Sequence, residues 1–242
     1  LSYFIMQIPA GICLDKMKTS SILSIMLFLS ALGTWLFLTA DSPTALMLAR
    51  LILGVSCSFS FVGALYIALS QFPNRLYPLL VGLVEIIGAI GAMLAQTPLQ
   101  VMINHFGWQP TVYATCLIFI ILTPITFLTT NYLERQKKPD SKSNSEPFLT
   151  QIKNFFAVLR NTQLIYICIF AGVMWLPMIS LAGFWGIPYL HQIRNFDRIQ
   201  ASLACTLMWL SFAVFAPFIG AVSNRIKLRK GTMVFLAIVG LL

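Results

Sequence analysis

Long apolar stretches separated by short polar segments dominate the chain. Each stretch runs for about 20 residues or more with almost no charge, which is the length that a helix needs to cross a bilayer. Six of them are long enough to be complete spans: 20–40, 45–69, 79–102, 111–130, 162–190 and 200–222. The pattern therefore predicts an all-α, polytopic membrane protein.

Two shorter apolar stretches, 1–14 and 232–242, flank these six spans. As helices they would extend only about 21 and 16 Å, at about 1.5 Å per residue. A bilayer core is about 30 Å thick, so neither stretch crosses it. We therefore expect a fragment of a longer membrane protein, cut inside a helix at both ends.

The composition excludes a water-soluble enzyme. Only 10% of the residues are charged and 58% are hydrophobic, whereas a soluble domain carries about 25% charged residues. The net charge of +9 comes from basic residues in alternate loops, thirteen on one side of the spans against two on the other. Basic loops face the cytoplasm. We therefore expect a protein of the inner (cytoplasmic) membrane, with loops 15–19, 70–78, 131–161 and 223–231 in the cytoplasm. The same distribution argues against nucleic-acid binding, because the basic residues lie in loops between apolar spans.

Nothing in the sequence indicates a cofactor or a metal site. The five cysteines are far apart in apolar stretches, without C-x-x-C or Cys/His ligand spacing. No phosphate-binding loop occurs, so an ion gradient or the gradient of the solute must supply the energy for any transport. We expect a monomeric protein that is not an enzyme and whose partners are the bilayer, a small-molecule solute and protons.

The long loop 131–161 divides the chain into helix bundles 1–130 and 162–242. Its first part is rich in Lys and Ser, whereas apolar residues from Phe148 to Leu159 recur at helical spacing after Pro147. This predicts an amphipathic helix at 147–160. The pattern fits a helix on the membrane surface and a helix docked on the bundle equally well.

A loop motif occurs twice, six spans apart. Gly11 precedes Asp15 and Lys16 at the end of the first apolar stretch, and Gly220 precedes Asn224 and Arg225 in the same way. The glycine would let two helices approach closely, the Asp or Asn would cap a neighbouring helix, and the cation would meet a helix C-terminus or an acidic partner. We call the two copies the cytoplasmic gate motif, and their recurrence predicts two parallel-related halves.

These residues resemble the major facilitator superfamily, whose signature between the second and third helices is G-x-L-a-D-R-x-G-R-K, with a weaker copy between the eighth and ninth. Arg50 and Gly54 also match the R-x-x-x-G motif of the fourth helix, whereas Lys18 stands in place of a second glycine. The resemblance implies the fold of two six-helix bundles, with the visible spans as helices 2 to 9 of 12. The sequence resembles bacterial metabolite permeases of this superfamily.

Arg50 and Glu85 are the two charged residues well inside a span, where charges are costly and usually functional. For Arg50 the resemblance implies a part in a charge or proton relay; a structural hydrogen bond to neighbouring carbonyls is the alternative. Glu85 shares one helical face with the small residues Ala89 and Ala92 and with Gln96. We expect Glu85 to couple transport to protons or a cation, the alternative being a satisfied buried polar residue.

The candidate cavity residues are Gln96, Trp175, Trp185 and Tyr189, in the third and fifth spans. We expect a transporter that works by alternating access and takes up a small polar metabolite, in a proton-coupled or a facilitative way. The metabolite would be an organic anion, a sugar phosphate, an amino acid or a dipeptide. The alternatives are a proton-coupled drug efflux carrier and a non-transporting sensor or scaffold of the same fold. The G-x-x-x-G-P-x-x-G-G motif of drug antiporters is not met, because Ala89 follows Gly88 where proline is usual.

Overall fold

The computed structural model of the protein describes residues 1–136 and 160–226 and the single positions 150, 157 and 231; for 217–226 it describes the helical backbone alone. No strand occurs in these ranges. The helices are α1 (Ser2–Lys16), α2 (Thr19–Thr39), α3 (Pro43–Gln71), α4 (Tyr77–Leu94), α5 (Thr97–Phe106), α6 (Trp108–Gln136), α7 (Thr162–Met178), a π-helical segment (Ile179–Trp185), α8 (Gly186–Gln192) and α9 (Arg198–Ile226). The predicted all-α class is confirmed.

Six helical segments of the described chain are long and apolar enough to cross a membrane. They are Thr19–Thr39, Pro43–Gln71, Tyr77–Phe106, Trp108–Gln136, Thr162–Gln192 and Arg198–Ala216. They coincide with the six predicted complete spans, which confirms a multi-pass membrane protein. The predicted amphipathic helix at 147–160 and the short apolar stretch at 232–242 lie outside the described residues, apart from single positions.

Two of the spans are not regular helices. The span predicted at 79–102 is broken at Ala95 and Gln96, between α4 and α5. The span predicted at 162–190 contains the π-helical segment between α7 and α8. Hydrophobic periodicity cannot reveal such breaks, because they change the backbone without changing the apolar character of the stretch.

Local sequence explains where several helices begin. The Ser42 hydroxyl accepts a hydrogen bond from the Ala45 amide at 3.2 Å, and Pro43 occupies the first turn of α3, where no donor is needed. The Asn161 side chain caps α7 in the same way, accepting from the Gln163 amide at 3.0 Å. Gly107 has a φ of 87°, a left-handed conformation that lets α5 turn directly into α6.

The contacts divide the chain into two compact units. The first unit is Leu1–Val84 with Phe106–Ile152, and the second is Glu85–His105 with Lys153–Leu242. The first unit therefore lacks residues 85–105 of the predicted first bundle, 1–130, and extends beyond its end. Residues 85–105, which include most of α4 and all of α5 except Phe106, group with α7, α8 and α9 instead.

The core of the first unit is small. Ala10 and Leu14 of α1, Ile22 of α2 and Phe59 of α3 are almost completely buried. Partly buried apolar side chains surround them: Met6, Cys13, Leu23, Met26, Val62 and Tyr66. Many large apolar side chains elsewhere are exposed, as expected where lipid rather than water covers the surface.

Small and hydroxyl-bearing residues allow α2 and α3 to pack closely. The Ser30 hydroxyl donates to Ser56 Oγ at 2.8 Å between the two helices, and both side chains are buried. A Cβ added to Gly33 would lie 3.0 Å from Leu53 Cγ, and one added to Gly63 would overlap the Leu23 side chain. The contact therefore uses the small-residue packing and interhelical hydrogen bonds that are typical of membrane helices.

Candidate functional site

The first copy of the gate motif lies at the end of α1. Asp15 and Lys16 form its last turn, and Met17 and Lys18 lead directly into α2. Desolvation by the surrounding protein raises the pKa of the Asp15 carboxyl above its ordinary value of 3.8, although the residue as a whole is exposed. No described atom lies within 4 Å of a Cβ added to Gly11, so the close helix approach expected at this glycine is not present in the described part of the chain.

Glu134, near the end of α6, caps the start of α2. α2 begins at Thr19, and its N-cap residue Lys18 provides no side-chain hydrogen bond. Instead Glu134 reaches back from the last turn of α6: Oε1 accepts from the Ser20 amide at 3.2 Å, and Oε2 accepts from the Ser20 hydroxyl at 2.7 Å. A carboxylate is favoured here because the N-terminus of a helix carries partial positive charge. For α2, the capping role expected of Asp15 therefore falls to Glu134.

The sequence analysis missed Glu134, because it assigned the residue to the polar linker 131–161. One signal could have found it: α2 has no acidic residue in its first turn, so its amide groups need an acceptor from elsewhere. The bonds to Ser20 place the end of α6 beside the junction of α1 and α2. The phenol of Tyr66 is close enough to Asp15 and Glu134 for their charges to act on it.

The second copy of the gate motif falls within α9. The backbone is helical from Arg198 to Ile226, so Gly220, Asn224 and Arg225 occupy the end of this helix rather than the start of a loop at 223. Their side chains lie outside the described part of the structure.

Arg50 lies in α3, seven residues after Pro43, which corresponds to about 10 Å along the helix axis. Its guanidinium carbon lies 4.8 Å from the centre of the Phe37 ring, within cation–π range. The residue lines an open groove of about 620 Å³ in the first unit. Gly54, the other residue of its motif, is in tight contact with α1: an added Cβ would overlap Ser2 and lie 3.2 Å from the Tyr3 amide nitrogen. This motif glycine therefore permits the close approach of α1 and α3.

Glu85 lies in α4, about 12 Å from the start of the helix at Tyr77. Its side chain is partly buried and forms no hydrogen bond or ion pair with another described residue. Ala89, one turn further, is buried, whereas Gly82 and Gly88 have no described atom within 4 Å of an added Cβ. The carboxyl therefore stands on a helix face with small side chains and open space.

Gln96 connects two irregular parts of the second unit. It lies at the break between α4 and α5, and its side-chain amide donates to the carbonyl oxygen of Ala182 at 2.9 Å. Ala182 belongs to the π-helical segment and is buried. A π-helical turn departs from the regular α-helical hydrogen-bond pattern and is frequent at functional sites. The Gln96 amide therefore joins the break after α4 to a second irregular backbone segment.

A hydroxyl cluster joins α5 to α9. Thr206 Oγ1 accepts from the Thr97 amide at 3.3 Å and lies 2.8 Å from Thr97 Oγ1. The Ser202 hydroxyl, which is fully buried, lies 3.3 Å from Thr97 Oγ1 and donates more closely to the Ile199 carbonyl, at 2.9 Å. Thr206 thus caps the first turn of α5 from a different helix, because the break after α4 exposes the Thr97 amide.

The remaining cavity candidates occupy different surroundings. Trp175 of α7 makes edge-to-face contacts with Trp209 and Phe212 of α9, at centroid distances of 6.4 and 5.2 Å. The indole nitrogen of Trp209 is buried and finds no acceptor among the described residues. Trp185 and Tyr189, near the end of their span, are 70% and 43% exposed.

None of these candidates lines either of the two cavities found in the first unit. The larger is the groove beside Arg50; the smaller, of about 230 Å³, is lined by residues of α2, α3 and α6, among them Phe59, Thr126 and Thr130. Across the described ranges, no group of three or more His, Cys, Asp or Glu side chains could hold a metal ion.

Comparison with known proteins identifies the family. The family model described as Major Facilitator Superfamily matches residues 1–242. No curated protein matches the chain significantly. That match agrees with three features of the described residues: the six apolar helices, the gate motif at the end of α1 and the tight contact at Gly54. The chain belongs to the Major Facilitator Superfamily of membrane transporters.

Proposed function

We propose that the protein is a proton-coupled carrier that takes up a small polar solute by alternating access. Its family, whose members are transporters rather than enzymes, supports solute transport across a membrane. The proposal adds the coupling ion, the direction and the solute class, which comprises organic anions, sugar phosphates, amino acids and dipeptides. The charge distribution of the loops supports an inner-membrane location with loops 15–19 and 70–78 in the cytoplasm.

The proposal rests on the Glu85 carboxyl group and its surroundings in the membrane span. A carboxylate in a membrane span is costly unless it is paired or solvated, and Glu85 has no partner among the described residues. Binding a proton neutralises such a group, and releasing it restores the charge. Because the helix face around Glu85 is open at Gly82 and Gly88, a solute or water can reach the carboxyl. Protonation can therefore be linked to the conformation of the carrier.

Arg50 and the gate motif have separate roles in this proposal. Arg50 supplies a positive charge in the span that precedes Glu85, where it favours an anionic or zwitterionic solute group. The cap formed by Glu134 holds the junction of α1 and α2 when the cytoplasmic side is closed, and Asp15 lies at that junction, in the last turn of α1. Gln96 and Trp175, both in the second unit, contribute a polar and an aromatic wall to the solute pathway.

The test is a flux assay on the full protein in proteoliposomes. Uptake of labelled metabolites is measured with and without an inward proton gradient, and the Glu85→Gln variant is compared with wild type. We expect Glu85→Gln to abolish gradient-driven uptake but to retain exchange of labelled for unlabelled solute, because exchange requires no net proton movement.

Asp41→Asn is the matched control, since Asp41 is an exposed carboxylate between α2 and α3, outside the spans. It should leave both activities unchanged. Gradient-driven uptake that persists in Glu85→Gln at the wild-type rate would refute the role of Glu85. If no solute shows saturable uptake by the wild-type protein, the sensor or scaffold alternative would replace the carrier.

A further inference from the structure

The polar residues that join α5 to the helices of the second unit form one connected group. Gln96 bonds to the Ala182 carbonyl, Thr97 bonds to Thr206, and Ser202 lies beside both threonines. Ala182 and Ser202 are buried. In a membrane such bonds between helices stabilise packing that hydrophobic contacts alone do not.

The position of this group along the helices is informative. Thr97 lies nine residues before the end of α5 at Phe106, and Thr206 lies eight residues after the start of α9 at Arg198. Both helix ends adjoin loops poor in basic residues, the side predicted to be extracellular. At about 1.5 Å per residue, the bonds lie about 12–14 Å from that side, on the outer half of a core about 30 Å thick.

The bonds also join segments that the sequence assigns to different bundles. Thr97 belongs to the predicted bundle 1–130 and Thr206 to the predicted bundle 162–242, and the contacts place both residues in the second unit because these bonds join them. In alternating access the two bundles rock against each other around a central site. Bonds that join them on the outer half must therefore break each time the pathway opens to the outside.

We propose that Gln96, Thr97, Ser202 and Thr206, together with the Ala182 carbonyl, form an outer latch that holds the extracellular side of the pathway closed. This inference rests on the proposed alternating-access function. The latch is anchored at a helix break and at a π-helical segment, two places where the backbone departs from a regular α-helix and where side chains make the joining bonds. Its bonds can consequently open without disrupting the regular hydrogen bonds of a helix.

A native cysteine reports the state of the latch. Cys205 adjoins Thr206, is 2% exposed, and directs its thiol toward the Leu181 carbonyl at 3.9 Å. A membrane-impermeant maleimide added from outside should therefore modify Cys205 only when the latch is open. The full protein is prepared with every cysteine except Cys205 replaced by alanine, which within residues 1–242 means Cys13, Cys57, Cys116 and Cys168.

The test compares maleimide labelling rates in proteoliposomes. The double variant Thr97→Val/Thr206→Val should label about tenfold faster than its parent, since each lost interhelical hydrogen bond shifts the equilibrium by about threefold. Gln96→Leu should label about threefold faster. Thr206→Ser keeps a hydroxyl and should retain the slow rate.

Thr123→Val is the matched control, because the Thr123 hydroxyl bonds only to the Phe119 carbonyl of its own helix. It should label at the parental rate. Equal labelling rates in the double variant and in Thr123→Val, whether parental or accelerated, would overturn the latch. If the double variant does not fold, the labelling rate of Gln96→Leu is compared with that of Thr123→Val instead, and equal rates would overturn the latch. Labelling requires no transport, so a failed latch and a failed carrier proposal give different results.

Discussion

The cap that Glu134 provides for α2 yields a quantitative prediction for Glu134→Ala. This change removes the acceptor of both the Ser20 amide and the Ser20 hydroxyl. Hydrogen bonds to charged groups contribute about 1.5–3 kcal/mol when they are well buried. Glu134 is only partly buried, so we expect a loss at the level of a helix N-cap, about 1–2 kcal/mol.

In a chain of 242 residues, a loss of about 1 kcal/mol lowers the melting temperature by about 2–4 °C. The melting temperature of Glu134→Ala in detergent, followed by tryptophan fluorescence, should therefore fall by about 2–8 °C. Glu134→Gln keeps an acceptor without the charge and should lose about half as much. Asp41→Asn, which changes an exposed carboxylate, should have the melting temperature of the wild type.

A double-mutant cycle shows whether the loss belongs to this contact. Ser20→Ala removes the hydroxyl bond but keeps the amide bond to Glu134. If the cap is real, Ser20→Ala combined with Glu134→Ala should cost little more than Glu134→Ala alone, because the two residues share one interaction. Additive losses, or a Glu134→Ala protein as stable as Asp41→Asn, would refute the reasoning.

Two further predictions concern Asp15 and Gly186. Desolvation raises the pKa of Asp15 above 3.8, so the folded protein loses stability as the pH rises through that raised pKa. Asp15→Asn should therefore raise the melting temperature at pH 7, with no gain below pH 3.8, and the gain should be small because the residue is exposed; an unchanged melting temperature at pH 7 would contradict this. A Cβ at Gly186 would overlap the Leu181 carbonyl and lie 2.7 Å from Cys205 Sγ, so Gly186→Ala should lower the melting temperature by several degrees. Gly172→Ala in α7, with open space around it, should not; equal melting of the two variants would disprove the packing argument.

Sequence alone predicted the number of spans, the all-α class and the family, because the bilayer demands long apolar helices and the gate motif recurs after six of them. It also predicted which charges lie within spans, Arg50 and Glu85, since a charge interrupts an apolar stretch visibly. These features are local in the chain, so their physical cause can be read without knowing which helices touch.

The tertiary structure decided what depends on neighbours that are distant in sequence. Glu134 and Ser20 are separated by 114 positions, and Thr97 and Thr206 by 109, so no periodicity could pair them. The break before α5 and the π-helical segment could not be predicted from the sequence either. The side chains that bond to their backbone groups come from distant parts of the chain. In an apolar span, hydropathy sets where a helix crosses the membrane, whereas hydrogen bonding to neighbours determines where its backbone can depart from regular geometry.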